Sequence, residues 1–347
     1  MRNTIEKYPF WLSKPEDVTK MLAGIKKGKV HTLCTSAGGR EIPYVTYGEK
    51  ENYNNRANWS SACGAYKPEC YADRAGKRPT FLLFGATHGQ ETESIMALMN
   101  LISLIETGRD LRGKEVPWVT EGYEKSNCRL IIVPTFNIDG RCRFELDSLI
   151  DEPMEALRHY GQGRWKNGEL CGWPGCKMVH PIKDEVSFLG AYFNDDGINL
   201  MHDNFFAPMA QETVALMKLV SDEAPDCVIN MHGGDNCTNN LGQPSYAPLY
   251  IREEVFALAN EVDELAKGFG LSTFVSPIKD RVEGYPPPTF NLTSAIFHAC
   301  GAVVSTYESN QGMAEKNQFM PEDILQLHYC LFAGIFNHDW RRDHSAK

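Results

Sequence analysis

His88 and Glu91, in the stretch HGQE, stand where the apolar run TFLLFGA (80–86) gives way to a segment of helical pattern. His232 follows a second such run, DCVINM (226–231), and Glu308 a third, AVVSTY (302–307). Two imidazoles and one carboxylate are a common catalytic zinc set, with a fourth coordination position left for water. A metal held there lowers the pKa of that water and polarises a carbonyl. A further carboxylate kept off the metal can then serve as general base. Taken singly, His88 suits a helix start, Glu91 a favourable place near a helix dipole, and His232 a polar turn. The occurrence of all four directly after buried-looking runs is what turns the reading towards a metal site.

The elements that must position these residues are legible from the same runs. A fourth, RLIIVPT (129–135), precedes FNIDGR. All four are apolar or β-branched throughout rather than alternating, as central strands of a mostly parallel sheet are. Helical patterns fall between or around them, at about 91–108, 208–223, 252–268, 291–300 and 321–336. The expected fold is therefore α/β, with a mixed, mostly parallel central sheet flanked by helices on both faces. In open α/β sheets ligands bind at the carboxyl ends of the strands, so His88, Glu91, His232 and Glu308 are expected to converge there. Upstream, SKPEDVTKMLAGIKKG (13–28) reads as a helix with Ser13 as N-cap and Gly28 as its stop. HTLCTSAGGREIPYVTYGE (31–49) reads as a hairpin turning at Gly38 and Gly39. One catalytic domain is expected over residues 1–347, with surface insertions at about 49–79 and 141–195. The second insertion is long and irregular, as functional loops often are.

Composition narrows the class. With 35 basic and 45 acidic residues the net charge is −10, and the short basic stretches IKKGK and RWK form no extended patch. Nucleic-acid and anionic-membrane partners are not expected. No run is long and apolar enough to span a bilayer, and the first twenty residues lack the apolar region of a signal peptide. The eleven cysteines are odd in number and partly within apolar runs, which suits buried thiols in a reducing cytoplasm. Cys63 with Cys70, and Cys171 with Cys176, lack zinc-ribbon spacing and read as loop cysteines. The chain has no G-x-S-x-G elbow and no phosphate-binding glycine motif.

On these residues the chain resembles the zinc carboxypeptidases, from about residue 31 to the last helix. CTSAGGREIPYVTYG is similar to the family's opening hairpin and HGQE to its first zinc motif. PTFNIDG is similar to its N-P-D-G segment, with Ile138 in place of proline. NMHGG is similar to the strand with the second histidine, and STYESNQG to the segment that carries the base. The resemblance implies one Zn2+ per chain on His88, Glu91 and His232, with Glu308 activating water. Tyr285, in VEGYPPPTF, stands where the family has a mobile tyrosine that closes over substrate. GQGRWKNG resembles the segment that supplies a cation to the carbonyl oxygen. Either Arg164 or Lys166 matches, and Arg164 is favoured because a guanidinium is always charged and forks onto oxygen.

One part of the pattern breaks. Where the digestive members carry an Asn-Arg pair that clamps the substrate's terminal carboxylate, GINLMHDNFF (197–206) has Met201 and His202. Asn199, a cationic His202 and Arg281 are the candidates for substrate binding in its place. The substrate is expected to be a peptide or an acylated amino acid. Its terminal carboxylate is held by one of these groups, or the substrate has none and the protein is an amidase or deacylase. A metal- or peptide-binding protein without turnover is the alternative on the same fold.

Overall fold

In a computed structural model, the structure describes residues 8–207, 209–235, 239–278, 285–315 and 319–340. Helix α1 (Pro15–Ala23) leads into the hairpin β1 (Lys29–Thr35) and β2 (Glu41–Tyr47), followed by the short α2 (Trp59–Gly64). Next come β3 (Thr80–Gly85), α3 (Thr92–Thr107), α4 (Pro117–Ser126), β4 (Arg129–Val133) and α5 (Ile138–Arg143). The 141–195 stretch contributes α6 (Met154–Ala156) and a two-stranded ribbon, β5 (Gly163–Trp165) with β6 (Val186–Leu189). The chain then runs through α7 (Gln211–Glu223), β7 (Cys227–Gly234), β8 (Asn240–Gly242) and α8 (Leu249–Lys267). It ends with α9 (Leu292–Cys300), β9 (Val303–Asn310) and α10 (Pro321–Asn337).

Seven strands form one mixed sheet in the order β1-β2-β4-β3-β7-β9-β8. The inner four, β4, β3, β7 and β9, are mutually parallel, and the antiparallel pairs lie at the two edges. Every residue of β3 and β4 is buried, which is why neither shows an alternating pattern. Helices α3, α4, α8 and α10 pack together over one face, with α3 against β3 and β7. Helices α7 and α9 cover the other face, against β1 and β9. Among the described residues no helix is long and apolar enough to cross a membrane.

All four apolar runs are strands, and each of the five helical patterns is a helix with ends within about three residues of those expected. Differences arise where side chains are drawn elsewhere. Helix α1 stops at Gly24, and its N-cap is Lys14. The Ser13 hydroxyl instead donates to the Asp147 carbonyl oxygen at 3.0 Å. Gly28 lies against Val45 and Tyr47, where a Cβ would come within 2.6 Å of a Val45 methyl, so packing rather than helix termination requires it. Helix α4 gave no signal because it buries only Val119 and Gly122, too narrow a stripe for a periodic pattern. In the 49–79 stretch Tyr53, Ala62 and Tyr71 are buried, and the Tyr71 hydroxyl donates to the Ser221 carbonyl oxygen at 2.7 Å. Cys171 and Cys176 are buried in a small apolar cluster with Ile182, Tyr192 and Phe193, and the described cysteines are free thiols.

Candidate metal centre

The register of the sheet does most of the positioning. Phe81–Gly85 of β3 pairs in parallel with Cys227–Met231 of β7, so the two strands end side by side. One residue further on, His232 pairs with Glu308 of β9. Residues paired in this way project to the same face of a sheet. Beyond β3 the chain must turn sharply to bring His88 back towards β7. Ala86 makes that turn at φ +52°, a conformation uncommon for a residue with a Cβ. The turn is held by the Ala86 N–H, which donates to the Ser94 hydroxyl (2.9 Å), and by that hydroxyl, which donates to the Glu91 carbonyl oxygen (2.8 Å). Gly89 passes so close to the start of α5 that a Cβ would lie 2.2 Å from the Arg141 nitrogen. Glu91 is the N-cap residue of α3, so its carboxylate is fixed by a helix that is buried along nearly its whole length.

The result is a compact, buried trio. His88, Glu91 and His232 each offer a ligand atom, all within 4.8 Å of one another, and their exposures are 4%, 3% and 2%. His88 Nδ1 lies 2.7 Å from Glu91 Oε1. His232 Nδ1 lies 2.9 Å from Glu91 Oε2, yet that oxygen makes no aligned hydrogen bond, and His232 Nε2 has none either. A buried carboxylate oxygen facing an imidazole nitrogen without a shared proton is costly on its own. It is what ligands converging on a common cation present, and the donor set, two nitrogens and an oxygen, is one that zinc takes. The residues therefore fit the group.

Charge balance is consistent with that fit. Burial alone would raise the Glu91 carboxyl, but His88 and His232 hold it down at about 2. Burial pushes His88 down despite Glu91. His232 is raised overall, because Glu91 and Glu308 outweigh its burial. Glu308 is partly exposed beside the trio. Burial, with Glu91 adding to it, pushes its carboxyl above the usual range, and His232 and Lys177 oppose the shift.

A support layer stands behind His88. Its Nε2 lies 3.3 Å from Asn199 Oδ1, the arrangement in which Nε2 carries the proton and Nδ1 is left free as a ligand atom. The Tyr192 ring stacks on the imidazole at 3.5 Å between centroids and 11° between planes. Asn199 is thus not at the mouth, where the sequence suggested a substrate contact. It is 2% exposed, and its side-chain oxygen also accepts from the Met201 N–H at 3.0 Å.

Of the other described candidates, none has a hydrogen bond, ion pair or ring contact with the trio. Arg164 lies on β5 with its guanidinium donating to His159 Nδ1 (3.1 Å) and the Gly168 carbonyl oxygen (3.0 Å), and 3.8 Å from Glu155. Lys166 is exposed on the same ribbon. Tyr285 is 97% exposed. Arg281 lies outside the described residues. His202 is close to the site, but burial and then Lys177 depress its pKa to about 3. It is a neutral acceptor, not the cation that the sequence suggested. Two residues at the site were missed by sequence reasoning. Tyr192 carried no motif, and Lys177 lies in the irregular 141–195 stretch, where no periodicity marks which side chain turns inward.

Comparison with known proteins was made on sequence and on structure. The family model described as zinc carboxypeptidase matches residues 26–273. No curated protein matches the sequence. Among solved structures, a metallo-carboxypeptidase from Burkholderia cenocepacia is similar at a TM-score of 0.56 and 14% identity, over 92% of this chain and 68% of that one. Carboxypeptidase A from Helicoverpa armigera is similar at 0.51 and 15% identity, over 96% and 75%. A metallo-carboxypeptidase from Pseudomonas aeruginosa, solved in complex with (2-guanidinoethylmercapto)succinic acid, is similar at 0.51 and 13%, over 93% and 68%. At these identities the likeness is one of fold. The chain spans about two thirds of the length of the two bacterial structures.

Proposed function

The chain belongs to the zinc carboxypeptidase family, and from that premise we propose that it is a zinc-dependent hydrolase of a peptide or amide bond. His88, Glu91 and His232 hold one zinc ion. When bound, the ion supplies a Lewis acid that polarises the scissile carbonyl and lowers the pKa of water. Glu308 is the general base. Its register opposite His232 sets its carboxylate on the same side of the sheet, one strand away from the ligands. There it takes a proton from the attacking water and returns it to the leaving amine. Its raised pKa suits both steps, since a base poised nearer neutrality gives the proton back more readily. Asn199 orients His88, and Tyr192 covers the imidazole face and excludes water from it.

The single observation that carries this reading is the buried trio whose ligand atoms lie within 4.8 Å, with Glu308 in register beside it. The reading does not draw on Arg164, whose guanidinium is engaged on β5, or on Tyr285, whose ring stands in solvent. The test is hydrolysis of blocked dipeptides by wild-type protein and by Glu308→Gln, with zinc measured in both. Turnover should stop on chelation and return with zinc. Glu308→Gln should keep its zinc and lose activity about 10²- to 10⁴-fold, the usual worth of a positioned acid–base group. A variant as active as wild type would remove Glu308 from the reaction.

A further inference from the structure

The 171–182 segment is irregular in sequence but firmly placed in the structure. Cys176 and Ile182 are fully buried with Cys171, Tyr192 and Phe193. The opposite side of that cluster is the Tyr192 ring stacked on His88. His180 adds a second anchor, its Nε2 accepting the Asn199 N–H at 3.2 Å. The short turn Gly175–Lys177, which carries Cys176 of the first attachment, presents a lysine. Its ammonium donates to His202 Nε2 at 3.0 Å and lies 5.4 Å from the centre of the Trp173 ring. The Lys177 side chain is exposed, and its partner His202 closes the short turn Leu200–His202 that is capped by Asn199, the residue bonded to His88. Through that turn the lysine is joined to the support of His88 at its solvent-facing end, the mouth of the site.

Three features of this lysine are those of an anion receptor. An ammonium has three N–H donors, and here one is used, on a neutral imidazole that orients it without adding charge. Among the described residues no carboxylate forms an ion pair with it, although acidic residues outnumber basic ones in the chain. The indole and the imidazole also restrict its rotamers, so less freedom is lost when an anion binds. It also sits beside His202, in the stretch where the sequence lacks an arginine.

We propose that Lys177, oriented by His202, is the substrate-binding cation of this chain and takes a carboxylate on the substrate next to the scissile bond. The substrate class is then an acylated amino acid or peptide ending in a free carboxylate, rather than an uncharged amide. This rests on the hydrolytic reading above. A lysine on an insertion replaces a guanidinium on the scaffold, so recognition is through one point charge rather than a two-pronged fork.

The experiment compares benzoyl-glycyl-phenylalanine with its carboxamide, using zinc-loaded wild type, Lys177→Met and Lys177→Arg. Binding of the free acid is measured by calorimetry, independently of turnover, in the same three proteins. Wild type should favour the acid, and Lys177→Met should raise KM and Kd for the acid by about 10- to 100-fold, the worth of a hydrogen bond to a charged group. The acid-over-amide preference should then fall towards one, and Lys177→Arg should restore most of it. Equal losses of kcat on acid and amide would mean that Lys177 serves the developing oxyanion and would overturn the proposal, as would acid binding indifferent to the substitution. Lysine-dependent binding without turnover in wild type would uphold Lys177 and sink the hydrolytic reading instead.

Discussion

The metal trio and the mouth above it are neighbours built on different principles. The trio hangs on parallel strands and a buried helix, so its geometry follows from the register of β3, β7 and β9. The mouth is made of turns, pinned by a handful of buried side chains such as Cys176 and Tyr192. A scaffold of this kind lets the reacting centre stay fixed while recognition changes with the loops. The same division decides what happens to each region when it is perturbed.

If the trio depends on the scaffold, a scaffold change remote from any ligand atom should damage it most. Gly89→Ala puts a Cβ about where the Gly140–Arg141 peptide already lies. Overpacking costs about 1–3 kcal/mol, and here the displaced atoms are backbone that also carries the turn to His88. Both the midpoint of chemical denaturation and zinc content are expected to fall; unchanged zinc affinity would show that the trio tolerates movement of its frame. A smaller effect is expected one layer out. Asn199→Ala removes the acceptor that fixes the His88 tautomer, and zinc affinity measured against a competing chelator should drop about 10- to 100-fold, with a modest loss of folding stability because the Met201 N–H also loses its acceptor. A drop confined to KM would instead place Asn199 at the mouth. The smallest effect belongs to Arg164→Ala. Because its guanidinium is occupied by His159 and Gly168, kcat is expected to stay within about threefold of wild type. A loss of several kcal/mol in transition-state stabilisation, read from kcat/KM, would return Arg164 to the oxyanion.

The two regions also differ in how far the sequence disclosed them. Strands β3, β4, β7 and β9 announced themselves because they are buried on both faces, and a strand buried on both faces must be apolar at every position. Chemistry-bearing residues directly after such runs are bound to meet at one rim, so His88, Glu91, His232 and Glu308 could be placed together without contact information. The mouth offered no such rule. Lys177 is brought to the site by the burial of Cys176 and by two histidine contacts, and none of these leaves a periodic trace. His202 was legible as a position but not in its charge, since its burial and then the nearby Lys177, which keep it neutral, are properties of the folded chain. Asn199 shows the same limit from the other side: its side chain turned inward to His88 rather than outward to substrate.

The claim on which all of this depends is that His88, Glu91 and His232 together hold a zinc ion. It is tested most directly by titrating metal-free protein with zinc against a chromophoric chelator, in wild type and in His88→Ala, Glu91→Ala and His232→Ala. One equivalent bound tightly by wild type, and affinity lost by at least about 10²-fold in each variant, is the expected result. Zinc bound equally well by wild type and by all three variants would contradict it.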